Sequence, residues 1–139
     1  NSKSATLTEK QVIDMPESDY MNPEQLAFFK SRLLALYTST QERIEEVRHQ
    51  IAKPMNSSDT NDRASSKEQA IIALRIVDRE QKLLPKIQQS LERIRMGTYG
   101  YCLESDDPIG IGRLLARPTA EYCADVKAIK EIQEHRFKG

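Results

Sequence analysis

Two long apolar stripes, separated by a short run of helix breakers, constrain this chain more than anything else in it. The first follows "NPEQLAFF" and places Leu26, Phe29, Leu33, Leu36, Ile44, Val47 and Ile51 mostly three and four residues apart, with Thr40 filling the one gap. Asn22 can cap that helix, Pro23 suits its first position, and Glu24 favours the positive helix start. The second stripe runs from about Asp62 or Arg63 to Met96 through Ala70, Leu74, Val77, Gln81, Leu84, Ile87, Leu91 and Ile94. Between them, "AKPMNSSDTND" carries Pro54 and a cluster of turn residues that breaks any helix. Neither stripe can be buried alone. The spacing therefore predicts an antiparallel coiled-coil hairpin with arms of about 45 Å, at about 1.5 Å per residue. Pro85, in "LLPKI", is expected to remove one backbone hydrogen bond and kink the returning arm.

The flanks are short. Residues 1–21 are polar and contain Pro16, and read as a loose arm, with at most a short helical turn, that packs on the globular part. The hairpin takes 22–96, with an acidic tip at 54–64. "MGTYGY" then ends the second helix with a glycine and opens a small nucleus over 97–126, holding Tyr99, Tyr101, Ile109, Ile111, Leu114, Leu115 and Tyr122. The last stretch, "ADVKAIKEIQEHRF", reads as a helix with Val126, Ile129 and Ile132 at spacing three, and 127–139 is assigned to it. The expected class is mainly α: a long coiled-coil hairpin on a small, ribbon-like globular domain with a C-terminal helix. Composition agrees, because 30% of the 139 residues are charged and only 6% aromatic, with no Trp.

Charge and cysteine usage exclude several functions. Lys+Arg and Asp+Glu each number 21, so no net field points to nucleic acid or an acidic membrane. The opening "NSKSATLTEK" lacks a secretory pattern, and no run of about 18 apolar residues is present to span a bilayer. Two cysteines give no disulfide framework and suit a reducing, cytoplasmic setting. The expectation is a soluble cytoplasmic monomer. No catalytic motif is found and no histidine neighbours either thiol in sequence, so no catalytic residue is assigned.

Two local patterns remain. Cys102 and Ser105, then Cys123 and Val126, stand where C-x2-C-x17-C-x2-C would make a zinc ribbon. Serine is a poor zinc ligand and valine is none. The residues alone leave three readings: a degenerate site with two reduced thiols packed as small apolar groups, a zinc site completed from elsewhere, or a Cys102–Cys123 disulfide. In the bend, Asp59 and Asp62 are three apart. They serve equally as turn residues, with Asp62 a helix N-cap, or as carboxylates carried at the end of a probe.

Taken together, several of these segments resemble the DksA family of bacterial RNA polymerase-binding transcription factors, over nearly everything from "YMNPEQLAFFK" to the end. The segments are D-x-x-D-x-A at 59–64, "ALRIVDREQKLLPKI", "YGYC" and "IGIGRLLARPTAEYC". The resemblance implies a non-enzymatic factor that enters the polymerase secondary channel coiled coil first, without sequence-specific DNA binding. Its implied action is to destabilise promoter open complexes and, with the alarmone ppGpp, to repress ribosomal RNA promoters and activate some biosynthetic ones. It assigns Asp59, Asp62 and Ala64 to the tip near the polymerase active site. Arg79, Leu83, Lys86, Arg117 and Lys127 are assigned to the ppGpp interface with polymerase, where cations can supply charge-assisted donors to phosphate. Two of the family's four ribbon cysteines are missing, which is similar to zinc-independent DksA paralogues. No zinc and no other cofactor is therefore expected, and the factor should work where zinc is scarce or oxidants are present. The alternatives are a Gre-like transcript-cleavage-stimulating factor, or a coiled-coil adaptor with no polymerase role.

Overall fold

The computed structural model describes residues 7–52 and 60–138. Five α-helices account for most of them: α1 (Glu9–Asp14), α2 (Pro23–Ala52), α3 (Thr60–Met96), α4 (Ile111–Ala116) and α5 (Ala124–Lys138). The mainly helical class is as expected. Among the described residues, the only β pairing is one isolated antiparallel bridge between Tyr101 and Pro108.

The helix ends follow from side-chain chemistry. In the polar arm, Thr8 and Gln11 form a reciprocal capping box on α1, with bonds of 3.2 and 2.8 Å. At α2, Asn22 Oδ1 accepts the Gln25 N–H at 2.8 Å, while buried Gln25 takes the Met21 N–H on its Oε1 at 2.8 Å. That pair holds Met21 in the left-handed region, at φ 56°. At the end of α3, Gly97 adopts φ +81°. There the Thr98 and Gly97 N–H groups turn back to the carbonyls of Arg93 and Ile94, at 2.9 and 3.2 Å, which completes a Schellman cap.

The chain divides into two compact units: Asn1–Leu33 with Gln89–Gly139, and Leu34–Gln88. Within the second unit, Gln88 bonds the Tyr37 hydroxyl at 3.3 Å and Arg43 pairs with Glu80, so the two helical segments run antiparallel. Thr40, Ile44, Val77 and Ile87 are buried there, as the stripes require. The α3 stripe needs correction at two places. Leu74 is 56% exposed, and Gln81 is also exposed. Glu80 turns inward instead, because Arg43 across the pair satisfies its carboxylate. Ile71 and Ile72 are exposed as well. α3 continues through Pro85. Both Pro85 and Gln81, whose carbonyl the proline leaves unpaired, are exposed, so water can satisfy that carbonyl.

The first unit has an aromatic centre. Phe29 and Tyr99 are fully buried with ring centroids 5.7 Å apart, and Phe28 meets Phe29 edge-on at 5.1 Å. Leu33, Leu114 and Val12 are fully buried too, and α1 packs against α4. Burial of each such side chain contributes about 1.5–3 kcal/mol. Polar groups here are tied down individually. The Tyr99 hydroxyl donates to the Pro118 carbonyl at 2.7 Å, and Arg113 Nε donates to the Tyr122 carbonyl at 2.9 Å. Arg93 reaches Ser90 Oγ at 3.1 Å and Glu121 at 3.7 Å. Tyr20 lies edge-on to Tyr101 at 5.6 Å; its hydroxyl donates to the Gly100 carbonyl at 2.6 Å and accepts the Gly110 N–H at 2.9 Å.

Candidate functional site

Three groups of residues carry the chemistry that the sequence singles out. In the tip, Asp59 lies outside the described residues. Asp62 falls within the first turn of α3, which starts at Thr60. It is therefore not the N-cap of that helix. Ala64 is exposed.

The second group is divided between the units. Arg79, Leu83 and Lys86 belong to the second unit, at spacings of four and three that put them on one side of α3. Arg79 and Lys86 are exposed and Leu83 is half-buried. In the first unit, Arg117 is the exposed C-cap of α4 and half-buried Lys127 lies in the first turn of α5. The ion pairs among the described residues occupy other cations, such as Lys82 with Asp78 at 3.0 Å and Lys130 with Glu104 at 2.9 Å. Arg79, Lys86, Arg117 and Lys127 are in none of them.

The third group is the degenerate ribbon, and the structure brings two of its four positions, Ser105 and Cys123, into side-chain contact. The Leu103 N–H donates to the Glu121 carbonyl at 2.8 Å, which ties the two cysteine-bearing segments together. Cys102 is buried, at 1% exposure, and Cys123 is half-buried; both are free thiols. Ser105 Oγ lies 3.8 Å from Cys123 Sγ. Burial raises the Cys102 thiol, but donation from the Ser105 hydroxyl and the backbone N–H groups of Cys123, Ser105 and Glu104 outweighs it. The result is a fall from 9.0 to about 6. Val126 is half-buried in the first turn of α5, which begins at Ala124. Lys130 anchors α5 nearby, with its ammonium on Glu104 and 4.8 Å from the Tyr122 ring centroid.

This donor set does not fit a structural zinc ion. Zinc in a ribbon needs four thiolate or imidazole ligands in a closed tetrahedron. Here two thiols, a hydroxyl and an isopropyl group occupy the positions. Among the described residues, no group of three or more His, Cys, Asp or Glu side chains is placed to hold a metal.

Sequence reasoning passed over Tyr20 and Gln25, whose hydrogen bonds fix the arm on the first unit. The signal for Gln25 lay in "NPEQ", an Asn followed three residues later by Gln, and "TEKQ" carries the same signature for α1. Tyr20 had no such signal, because its partners are backbone groups of residues distant in sequence.

An antiparallel pair of long helices, followed by a four-position knuckle with only two thiols, defines a coiled-coil protein with a degenerate zinc finger. A family model for the DnaK suppressor protein DksA, N-terminal domain, matches residues 25–94, and one for the prokaryotic dksA/traR C4-type zinc finger matches 97–131. The chain belongs to the DksA family, whose members are non-enzymatic transcription factors. It is 39% identical over 135 residues to the RNA polymerase-binding transcription factor DksA of Caulobacter vibrioides, covering 95% of each chain. The protein of that name from Escherichia coli K12 is 38% identical over 127 residues, covering 91% of this chain and 84% of its own length. The solved structure of transcription factor DksA2 from Pseudomonas aeruginosa superposes with a TM-score of 0.80 at 40% identity, over 92% of this chain and 99% of that one.

Proposed function

We propose that this protein is a cytoplasmic RNA polymerase-binding transcription factor that works without zinc. The observation that carries this reading is the 39% identity to an RNA polymerase-binding factor along 95% of both chains, because likeness of that extent includes both the helical pair and the knuckle. In this reading the coiled coil enters the secondary channel tip first, and Asp59, Asp62 and Ala64 approach the catalytic region. Open complexes are thereby destabilised without sequence-specific contact to DNA. Arg79 and Lys86 on one side of α3, and, from the other unit, Arg117 and Lys127, are the cations assigned to ppGpp at the polymerase interface, and Leu83 supplies an apolar contact beside Arg79 and Lys86. Two features support zinc independence: the donor set lacks two ligands, and direct hydrogen bonds already join the segments that a metal would otherwise hold. No described helix is long and apolar enough to cross a membrane, which is compatible with action on a soluble enzyme.

The test is transcription in vitro from a ribosomal RNA promoter, with and without ppGpp, using protein stripped of metal by chelation. Repression should persist and deepen with ppGpp. Asp59→Asn with Asp62→Asn should abolish repression while leaving binding to polymerase measurable, and Lys86→Ala should remove the ppGpp increment alone. A double Asn variant that represses as well as the parent would remove the tip from the mechanism. Loss of repression on chelation would refute zinc independence. Cleavage of backtracked RNA by the complex would point instead to a Gre-like factor.

A further inference from the structure

α5 turns one side toward the body of its unit and leaves the opposite side uncovered. Val126, Lys127 and Lys130 are half-buried on the inner side, where the Lys130 ammonium meets Glu104 at 2.9 Å and lies 4.8 Å from the Tyr122 ring centroid. On the outer side, Ile129 is 55% and Ile132 61% exposed. A lone apolar side chain on a surface needs no partner, but these two are aligned on one helix. At 3.6 residues per turn, Asp125, Ile129, Ile132 and Arg136 fall on a single line along that outer side, at spacings of four, three and four. Ala128 and Gln133 flank the line, and all six residues are exposed. Asp125 and Arg136 are in none of the ion pairs among the described residues. The helix dipole favours an acid near the start and a base near the end, which accounts for the two charges but not for the two isoleucines between them.

Reversed end to end, the line keeps its isoleucines in place and exchanges its charges. Its midpoint lies between Lys130 and Glu131. A two-fold rotation that lays a second α5 antiparallel on the first therefore sets Ile129 opposite Ile132 of the second copy, and Asp125 opposite its Arg136, each contact occurring twice. A parallel pair would instead set Asp125 on Asp125 and Arg136 on Arg136. We propose that the outer side of α5 is a self-association seam, on which two copies of this chain pair antiparallel through Ile129 and Ile132, with Asp125–Arg136 ion pairs at both ends. Four isoleucines leave water together, and the ion pairs set the direction of pairing. The seam covers about three helical turns per copy, far short of the about 20–30 residues a side of a standard interface. The dimer is therefore weak and reversible, with a dissociation constant on the order of 0.1 mM. The monomer expected from the sequence is then the dilute form of the chain. Lys127 lies on the opposite side of α5, so pairing does not cover it. This inference is independent of the polymerase reading, because it concerns only one face of α5.

The experiment is sedimentation equilibrium of the full chain, from about 5 µM to about 1 mM, a range that brackets the expected dissociation constant. The parent should follow a monomer–dimer equilibrium that weakens as salt is raised. Ile132→Lys should abolish association. Asp125→Arg and Arg136→Asp should each weaken it by about tenfold, because each sets like charges opposite one another. The double variant Asp125→Arg with Arg136→Asp should recover the dimer. An equimolar mixture of the two single variants should recover it too, as a mixed pair. Recovery of this kind cannot come from a misfolded chain, and circular dichroism should give every variant the helicity of the parent. A parent that stays monomeric throughout, single reversals that leave the dimer unchanged, a double variant that fails to restore it, or growth beyond dimers would overturn the seam. So would a monomeric parent whose Ile132→Lys variant loses binding to RNA polymerase, since the face would then belong to that enzyme.

Discussion

Replacing Tyr20 with phenylalanine removes one oxygen atom and separates two loops of the first unit. The hydroxyl donates to Gly100 at 2.6 Å and accepts from Gly110 at 2.9 Å, so both bonds are lost together. The Gly100 carbonyl keeps the Ile109 N–H at 2.8 Å, which limits the damage on that side. Among the described residues the Gly110 N–H bonds only the Tyr20 hydroxyl, so without it this donor must find water or remain unpaired. A net neutral hydrogen bond contributes about 1 kcal/mol, and a stranded, partly buried donor adds about 1 more, so the loss should be about 2 kcal/mol. Tyr20→Ala should cost about 1–2 kcal/mol beyond that, from the lost edge-on contact with Tyr101 and the half-buried ring. Equilibrium unfolding in urea, read by tyrosine fluorescence and by circular dichroism, measures both. A Tyr20→Phe loss below about 0.5 kcal/mol would refute the brace, since it would place the hydroxyl bonds at no more than a surface contact. The phenol also sets an alkaline limit. Burial raises its pKa above 10.0, with the backbone bonds at Gly110 and Ile109 opposing. Its contribution to stability is therefore complete below pH 10 and is lost as pH rises through the folded value, and Tyr20→Phe should weaken that alkaline loss.

Other substitutions give outcomes of differing sign. Thr40 has a fully buried hydroxyl with no partner among the described residues, so Thr40→Val should stabilise the second unit by about 1 kcal/mol in the same assay. Glu80 is nearly buried and Arg43 half-exposed, so Arg43→Ala, which strands the carboxylate, should cost more than Glu80→Ala, with about 1–3 kcal/mol for the former. A Cβ at Gly100 would meet Met21 Cγ and Sδ at 2.8 Å at a φ of +93°, so Gly100→Ala should destabilise by at least about 1–2 kcal/mol. Folding favours the Cys102 thiolate, and its contribution to stability is full above pH 9.0 and disappears as pH falls through about 6. Thermal melts across that window should slope upward with pH, and the slope should flatten in Cys102→Ser.

How much of this was legible in the residues depends on how far apart the interacting groups lie. The α2 stripe was readable, because Phe29, Leu33, Thr40 and Ile44 follow a helical period and all are buried. The α3 stripe was readable only in part. Leu74 and Gln81 fit the spacing, yet the face actually covered runs through Val77, Glu80 and Ile87. Hydropathy gave Glu80 no claim to the interior; its claim comes from Arg43 on the other helix, and periodicity within one segment carries no such information. The knuckle was readable from its spacing alone, as a pattern with two members replaced. What spacing left undetermined was whether the two cysteine-bearing segments still meet, and that is settled by the backbone bond from the Leu103 N–H to the Glu121 carbonyl. α1 and α4, six residues each, fell below the length at which a stripe announces itself.

The division of the chain has a consequence for its birth on the ribosome. One unit is a single uninterrupted stretch, Leu34–Gln88, whereas the other is assembled from pieces on either side of it. The helical pair can zip as it emerges, whereas Phe29 waits for Tyr99, and Tyr20 for Gly110, until the later segment has been translated. Early pairing of the inserted stretch shortens the effective loop that the two outer pieces must close, and so lowers the entropic toll on their meeting. Substitutions that loosen Leu34–Gln88 should therefore slow the maturation of a part of the molecule they never touch.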